Sequence, residues 1–206
     1  MCNMKRATQY GIVLIGLALA ALGISLILRS GLGMGPWGAF EQGLAAKTGI
    51  TFGRASQLVG LVLILLAWAL RQPPTLVTVM NMLLIGEFSD RFLAVLSAAQ
   101  GLPAQVAYFA AGLIVYSIGI AVYLMPGLGS GPREGVMLGL RDALHTSIRL
   151  ARVCIDLTVL IMAWAMRGPI GLGTVAYALG AGPLIQSFLK WCRKVMPKVA
   201  ARGVAR

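Results

Sequence analysis

The hydrophobic pattern of this chain changes on the scale of whole helices rather than of single turns. The apolar runs occupy residues 10–29, 54–70, 75–93, 105–125, 149–166 and 172–189. A helix of about 20 apolar residues, rising about 1.5 Å per residue, crosses the hydrocarbon core of a bilayer. The pattern therefore predicts an all-α fold, a polytopic helical membrane bundle with about six transmembrane helices.

Two further segments, 37–48 and 133–147, lie between apolar runs and are too short and too polar to cross the membrane alone. The first contains Glu41, and the second would place Arg141 and Asp142 at mid-membrane, where charge is costly. Half-length helices, either re-entrant or interfacial, fit both segments better. An alternative with eight short spans and parallel repeats stays open, because the charges of the loops do not exclude it.

One glycine motif occurs twice in the chain. Gly-Leu-Gly-Met-Gly-Pro at 31–36 returns as Gly-Leu-Gly-Ser-Gly-Pro at 127–132, an offset of 127 − 31 = 96 positions. Ala-Trp-Ala at 67–69 returns at 163–165 in the same register. A self-similarity that keeps one offset without a gap indicates an internal duplication. A half-length helix is expected after each copy of the glycine motif.

We therefore assign repeats 10–93 and 106–189 within a single membrane domain, residues 1–206. Three spans in each repeat would make the two halves inverted, as in many secondary transporters. Cytoplasmic loops are enriched in Lys and Arg, and that bias places both termini in the cytoplasm. Residues 190–206 are expected to form a basic cytoplasmic tail against anionic lipid headgroups.

Composition agrees with a membrane protein and argues against nucleic-acid binding. The chain is 58% apolar and 12% charged, with a mean hydropathy of +0.84, whereas soluble domains have about 25% charged residues. Its 18 basic and 6 acidic residues give a net charge of +12. The basic residues lie between apolar runs and not in a stripe with interleaved aromatics, so membrane lipids rather than nucleic acid are the expected partners.

Metal and covalent chemistry have little support. Cys2, Cys154 and Cys192 form no CxxC pair, and His145 is the one histidine. Neither a disulfide framework nor a zinc site is indicated, and no cofactor is expected. The chain also lacks GxSxG, HExxH and similar hydrolase signatures, so we do not expect an enzyme.

The glycine motif supplies the first candidate site. Its candidate binding residues are Gly33, Gly35 and Pro36 in the first copy and Gly129, Gly131 and Pro132 in the second. Alternating glycines permit positive φ angles, and proline suits the first turn of a helix. Each motif therefore ends at a helix N-terminus, whose free N–H groups and positive dipole end could hold an anion at membrane depth. The alternative is structural, since glycine also allows close helix packing.

Charged residues of the second half supply the other candidates. Arg149, Arg152 and Asp156 share one helix face, and Arg152 and Asp156 are four apart. A carboxylate within a spanning helix is expected to face the bundle interior or a cavity. Arg133 and Glu134 follow the second glycine motif, where Glu134 could alternatively cap the helix. The competing interpretation of Arg152 and Asp156 is a structural ion pair.

These motifs resemble a known family. Gly-Pro-Arg-Glu-Gly at 131–135, together with the repeated glycine motif and the Ala-Trp-Ala-x-Arg ends, is similar to the YczE branch of the YczE/YitT-like bacterial membrane proteins. The first half reads Gly-Pro-Trp-Gly at 35–38 and lacks the acidic residue usual at its last position, so Glu134 alone could supply that carboxylate. The resemblance implies a duplicated helical protein of the bacterial plasma membrane, and it implies no particular substrate.

The leading functional hypothesis is a small-solute transporter or exporter. It rests on the duplication, the broken helices and the intramembrane charge. The expected site lies between the two glycine-started helices, and a small anion is one candidate solute. A membrane accessory or scaffold protein without transport activity is the alternative. A homo-oligomer is left open.

Overall fold

The computed structural model describes residues 6–197, and this part of the chain forms eight α-helices. They are α1 (Arg6–Ser30), α2 (Pro36–Thr48), α3 (Phe52–Ala69), α4 (Leu76–Val95), α5 (Leu102–Leu124), α6 (Pro132–Leu144), α7 (Ile148–Ala165) and α8 (Leu172–Val195). Each predicted apolar run lies on a long helix, and each short polar segment forms a 13-residue helix.

The predicted basic tail begins inside a helix. We expected it to start at Lys190, but α8 continues to Val195, so residues 190–195 belong to that helix. Residues 1–5 and 198–206, which include Cys2 and the end of the predicted tail, lie outside the described residues.

Four of the helices are long and apolar enough to cross a bilayer, namely α1, α3, α5 and α8. The two other long helices are α4 and α7, and each carries three charged residues. On α4 these are Glu87, Asp90 and Arg91; on α7 they are Arg149, Arg152 and Asp156. The coarse prediction of an all-helical membrane bundle is thus confirmed within the described residues.

The helix starts recur at a constant offset. Helices α6, α7 and α8 begin at residues 132, 148 and 172, and α2, α3 and α4 begin at residues 36, 52 and 76. The differences 132 − 36, 148 − 52 and 172 − 76 all equal 96. Local chemistry places several of these starts. The Thr51 hydroxyl accepts from the Arg54 N–H, the Ser147 hydroxyl accepts from the Leu150 N–H, and α2 and α6 both begin at a proline.

Helices α1 and α5 form the centre of the bundle and run antiparallel. Gly16 lies against Gly119, and Gly23 lies against Gly112, so residue numbers rise on one helix as they fall on the other. A Cβ added at Gly119 would lie 2.8 Å from the Gly16 carbonyl oxygen. Only glycine permits this approach of two backbones, which is typical of helix contacts in membranes.

Helix α4 runs parallel to α1, and α3 runs antiparallel to α4. The Ser25 hydroxyl donates to the Ser89 carbonyl at 3.4 Å, and the Arg29 guanidinium donates to the Leu93 carbonyl. We call the end of the bundle where α1, α4 and α7 finish the upper end. The opposite end, where α3, α5 and α8 finish, is the lower end.

Each short helix packs mainly on a helix from the other half of the chain. Helix α2 packs along α7, and α6 packs along α3. On α2, Trp37 contacts the middle of α7 at Asp156, and the Lys47 ammonium donates to the carbonyl of Ala165 at the upper end. On α6, Gly139 packs against Leu70 at the lower end of α3. Both short helices therefore start inside the bundle and run outward, to opposite ends.

Candidate functional site

A cavity of about 290 Å³ lies at the start of the two short helices. Its walls come from α1, α2, α5, α6, α7 and α8. The polar and aromatic residues that line it are Trp37, Glu41, Tyr116, Arg133, Glu134, Arg152, Asp156 and Tyr177. Isoleucine, leucine and methionine side chains complete the wall, so the cavity combines an apolar surface with a few charged groups, as small-molecule sites commonly do.

The first glycine motif brings α2 down into the bundle. After α1 ends at the upper end, the Met34 N–H donates to the Pro169 carbonyl at 3.0 Å, and the Leu32 carbonyl accepts from the Gly173 N–H at 2.8 Å. Gly33 has a φ of 111°, a conformation that favours glycine, and it lies against Gly171. The segment thus descends beside the start of α8, and α2 begins at the cavity.

The second glycine motif brings α6 into the bundle from the lower end. Gly129 has a φ of 152° and packs against Thr75 and Val77 at the start of α4. The Thr78 hydroxyl donates to the Ser130 carbonyl at 2.9 Å. Each motif therefore rests on the opposite half of the chain, and both short helices point their positive N-terminal ends toward the bundle centre.

Arg133 joins the two short helices. Its guanidinium donates to the Glu41 carboxylate at 2.6 Å and lies over the Trp37 ring, 5.0 Å from the ring centroid. Glu41 is only 2% exposed. A buried carboxylate needs such a partner, so the pair neutralises one charge from each short helix.

Arg152 and Asp156 project into the same cavity from α7. The Asp156 carboxylate accepts from the Trp37 indole N–H at 3.2 Å and is 3.7 Å from the Arg152 Nε. That second distance exceeds an ordinary N–H···O hydrogen bond of about 2.9 Å. The Arg152 side chain is 61% exposed, so its donors are available to another anion.

Glu134 lies in the first turn of α6 beside Asn81. The N-cap of α6 is Gly131, which has no side-chain cap, and Glu134 and Asn81 both flank that glycine. Among the described residues Glu134 forms no ion pair. The carboxylate therefore adds a negative charge to the cavity near a positive helix end.

A second, smaller cavity of about 60 Å³ lies between α3 and α4. Both cavities share Ile24, Glu41, Tyr116, Ile120, Arg133 and Glu134 as lining residues. The small cavity is lined by Ser56, Gly60 and Asn81, whereas the large one has Arg152, Asp156 and Tyr177 at the positions 96 residues later. The two cavities thus occupy matching places on the two sides of the Arg133–Glu41 pair.

The helices beside these cavities are packed differently. Helix α3 packs closely on α4, and a Cβ added at Gly86 would lie 2.5 Å from the Gly53 carbonyl oxygen. Helices α7 and α8 scarcely touch in the described part of the chain, and a Cβ added at Gly182 would meet nothing within 4 Å. Arg149 stands in α7 where Gly53 stands in α3, so the close glycine contact has no counterpart there.

The structure brings six of the predicted site residues to the large cavity: Gly35, Pro36, Arg133, Glu134, Arg152 and Asp156. Pro132 lines the small cavity instead. Gly33, Gly129 and Gly131 line neither cavity; they shape the segments that lead into the short helices.

Four of the polar and aromatic residues that line the large cavity were not among the predicted site residues: Trp37, Glu41, Tyr116 and Tyr177. Glu41 is not an exposed charge at the membrane interface, because it is buried against Arg133. The Tyr116 and Tyr177 rings pack at 5.6 Å between centroids. Glu41 could have been found from the sequence, since a carboxylate in a short helix between membrane spans needs a partner.

Among the described residues no cluster of His, Cys, Asp or Glu could hold a metal ion.

Comparison with known proteins places the chain among bacterial membrane proteins. Residues 7–190 match the model of a family of unknown function, DUF6198. An uncharacterized protein of Haemophilus influenzae is 33% identical over 86% of this chain and 82% of its own length. The uncharacterized membrane protein YczE of Bacillus subtilis is 32% identical over 92% of this chain and 89% of its own length.

A second Bacillus subtilis protein, the uncharacterized protein YyaS, is 31% identical over 85% of this chain and 89% of its own length. No solved structure matches the chain. The predicted resemblance to YczE is confirmed by these similarities, and the membrane location agrees with the apolar helices. The chain therefore belongs to the DUF6198 family and is a homologue of the bacterial membrane protein YczE.

Proposed function

We propose that this protein is a small-solute transporter that carries its solute through the central cavity. The observation that carries the proposal is the pair of matching cavities, about 290 Å³ and about 60 Å³, on the two sides of the Arg133–Glu41 pair. A carrier with one access route open and the matching route closed has this arrangement around a central site.

The proposed topology has six spans in two inverted repeats, with α2 and α6 re-entrant. The constant offset of the helix starts supports the duplication. The antiparallel packing of α1 on α5 supports the inversion, because an even number of crossings in each half would make these two helices parallel. The eight-span alternative requires that parallel arrangement.

The proposed orientation puts the lower end in the cytoplasm of a bacterial plasma membrane. Exposed basic residues at that end include Arg71, Arg149, Arg152 and Arg193, with Lys190 and Lys194. Lys and Arg are enriched in cytoplasmic loops and helix ends. In this orientation the gap between α7 and α8 opens toward the cytoplasmic side, and the closed α3–α4 contact faces outward.

Transport then requires the closely packed α3–α4 pair to open and the separated α7–α8 pair to close. Opening the outer side would separate α3 from α4 at Gly53 and Gly86, and closing the inner side would bring α7 to α8. Both movements are rigid-body shifts of peripheral helices around the fixed pair of short helices. The Arg133–Glu41 pair would remain as the common wall of both routes.

The size and charge of the cavity bear on the solute. A cavity of about 290 Å³ is at the lower end of the range of about 300–1,000 Å³ that ligand sites occupy. Two arginines and three carboxylates line it, and the Arg133–Glu41 pair is neutral. Arg152, Asp156 and Glu134 remain to contact the solute, so both cationic and anionic groups are offered to it.

A cysteine lock would test the carrier mechanism. The Cβ of Met82 is 3.4 Å from the position of a Cβ on residue 60, close to the spacing of about 3.5–4.5 Å in disulfides. In a background without native cysteines, Gly60→Cys with Met82→Cys should form a disulfide between α3 and α4. Flux of phosphate, acetate and glycine would be measured in proteoliposomes, with the lock oxidised and after reduction.

We expect the oxidised lock to stop flux of a transported solute and reduction to restore it. A reporter pair, Arg149→Cys with Gly182→Cys, stands at the positions that match Gly53 and Gly86. It should cross-link only when α7 closes on α8. Transport that is unchanged by the lock would reject the mechanism. Transport that is unchanged in Arg152→Ala, Asp156→Ala and Glu134→Ala would reject the assignment of the cavity residues.

The accessory or scaffold alternative has one observation in its favour, the buried and paired state of Glu41 and Arg133. It predicts that the reporter pair never cross-links, because a scaffold has no closing step. It also predicts no protein-dependent flux of any tested solute.

A further inference from the structure

The large cavity opens sideways through the gap between α7 and α8. Around the bundle α7 packs on α2 and α6, whereas α8 packs on α5, and α7 and α8 make few or no contacts with each other. In the most apolar 18-residue stretch of α8, 17% is buried, whereas 44% is buried in the corresponding stretches of α1, α3 and α5. The gap therefore faces the surrounding lipid as well as the lower end of the bundle, and we call it the α7–α8 crevice.

The mouth of the crevice is strongly basic. Arg149 and Arg152 begin α7 there, and Lys190, Arg193 and Lys194 end α8; all five side chains are exposed. The residues 96 positions earlier are Gly53, Ser56, Ala94, Ser97 and Ala98, none of which is charged. At these five positions the closed half carries no charge; its own basic residues, Arg54 and Arg91, occupy the positions that match Leu150 and Ser187.

The general enrichment of basic residues at cytoplasmic helix ends does not explain every basic residue at this mouth. The positive-inside bias acts through residues near helix ends, but Arg152 lies in the second turn of α7 and lines the cavity. Its guanidinium is held only loosely by Asp156, 3.7 Å away. Planar arginine forks bind phosphate oxygens in pairs, so Arg152 is available for an anionic headgroup.

The rest of the crevice suits a hydrocarbon chain. On α7, Ile155 lies next to Asp156 in the cavity wall and gives that side of it an apolar surface. Inside the cavity, Ile24, Ile120 and Ile185 continue the apolar surface. The carboxylates of Asp156 and Glu134 lie deeper in the cavity than Arg149 and Arg152. The anionic end of a ligand is therefore expected at the mouth, beside these two arginines.

We propose that the α7–α8 crevice binds an anionic lipid-like amphiphile from the lower leaflet, with its headgroup at Arg149 and Arg152 and its chain along the apolar walls. The ligand enters sideways from the membrane and keeps the orientation of an ordinary lipid. This inference rests on the proposed transport function, and it names an anionic amphiphile as the class of solute.

Trp37 provides a reporter, because it lies in the cavity beside Asp156. With Trp68, Trp164 and Trp191 changed to Phe, its fluorescence would be measured in nanodiscs that contain phosphatidylglycerol or phosphatidylcholine with brominated chains. Bromine quenches only at short range. We expect phosphatidylglycerol to be favoured over phosphatidylcholine by roughly fivefold, the effect of one basic residue near a membrane surface.

Arg149→Gln and Arg152→Gln, tested singly, should each reduce that preference toward one. The matched controls are Arg71→Gln, an exposed arginine at the same end, and Arg54→Gln, an exposed arginine at the other end. Both controls should leave the preference unchanged. The single variants also provide two independent tests if one of them fails to fold.

Equal quenching by the two lipids, or a preference that neither arginine variant changes, would overturn the lipid assignment. Measuring the flux of phosphate, a soluble anion, distinguishes failure of the lipid assignment from failure of the transport proposal. If phosphate flux responds to the Gly60–Met82 lock while brominated lipid shows no preference, the protein is a carrier of soluble anions and the lipid inference is wrong. Loss of both effects would remove both proposals.

Discussion

The Arg133 guanidinium and the Glu41 carboxylate are 2.6 Å apart, although 92 residues separate them in the chain. Arg133 is the second residue of α6, and Glu41 lies in the second turn of α2. Their contact ties the two short helices together at the centre of the bundle and separates the two cavities. The pair therefore positions the site as well as stabilising the fold.

Removing one partner of this pair should destabilise the protein strongly. Glu41→Ala leaves the Arg133 charge with no carboxylate at 2.6 Å and should lower the free energy of unfolding by about 3–5 kcal/mol. The measurement is reversible unfolding in mixed micelles, followed by circular dichroism. The control is Glu87→Ala, which breaks the exposed Glu87–Arg91 pair and should cost about 0–1 kcal/mol. Equal effects of the two variants would contradict the role assigned to Glu41.

The α1–α5 contact should tolerate no side chain at its glycines. Gly23→Ala would place a methyl group 2.6 Å from the Tyr116 Cα, and such overpacking costs about 1–3 kcal/mol. Gly11→Ala, on the same helix, meets nothing within 4 Å and should stabilise α1 by up to about 1 kcal/mol. Thermal unfolding of the purified variants would compare them. A loss of stability at Gly11 as large as that at Gly23 would rule out this packing.

The ends of α3 and α7 carry strain that glycine should relieve. Arg71 and Arg167 have φ angles of 62° and 57° directly after the two helices, in the left-handed conformation that usually belongs to glycine. Arg71→Gly should therefore stabilise the fold by about 1 kcal/mol, because a non-glycine residue in this conformation costs about 1–2 kcal/mol. Arg71→Val should have the opposite effect, since branching at Cβ makes that conformation worse. The same unfolding assay decides, and a destabilised Arg71→Gly would contradict the assigned backbone.

The closed contact between α3 and α4 should open when its glycine is replaced by a large residue. Gly53→Arg introduces the residue type found at the matching position 149, where α7 and α8 are apart. A cysteine placed at Asn81, in the small cavity, should then react faster with a membrane-impermeant thiol reagent added from outside. Leu58→Arg, at an exposed position on the same part of α3, is the control for added charge alone. No gain in reactivity with Gly53→Arg would show that this glycine does not keep the small cavity closed.

The sequence by itself determined where the helices are. Glycine followed by proline, apolar runs and serine or threonine before a helix are local signals, because they act through backbone dihedrals and hydrogen bonds within a few residues. They predicted the short helix at 37–48, observed at Pro36–Thr48, and the run at 149–166, observed at Ile148–Ala165. They also selected six of the residues that line the large cavity.

Only the tertiary structure decided which residues meet. Trp37 and Asp156 are 119 positions apart, and Glu41 and Arg133 are 92 apart, so no periodicity within one helix relates them. The opening between α7 and α8 is of the same kind, since it depends on how Arg149 and Gly182 fit when two helices approach. The physical reason is that helix formation is governed by neighbours along the chain, whereas partners across a bundle are chosen by shape and charge that are complementary only after folding.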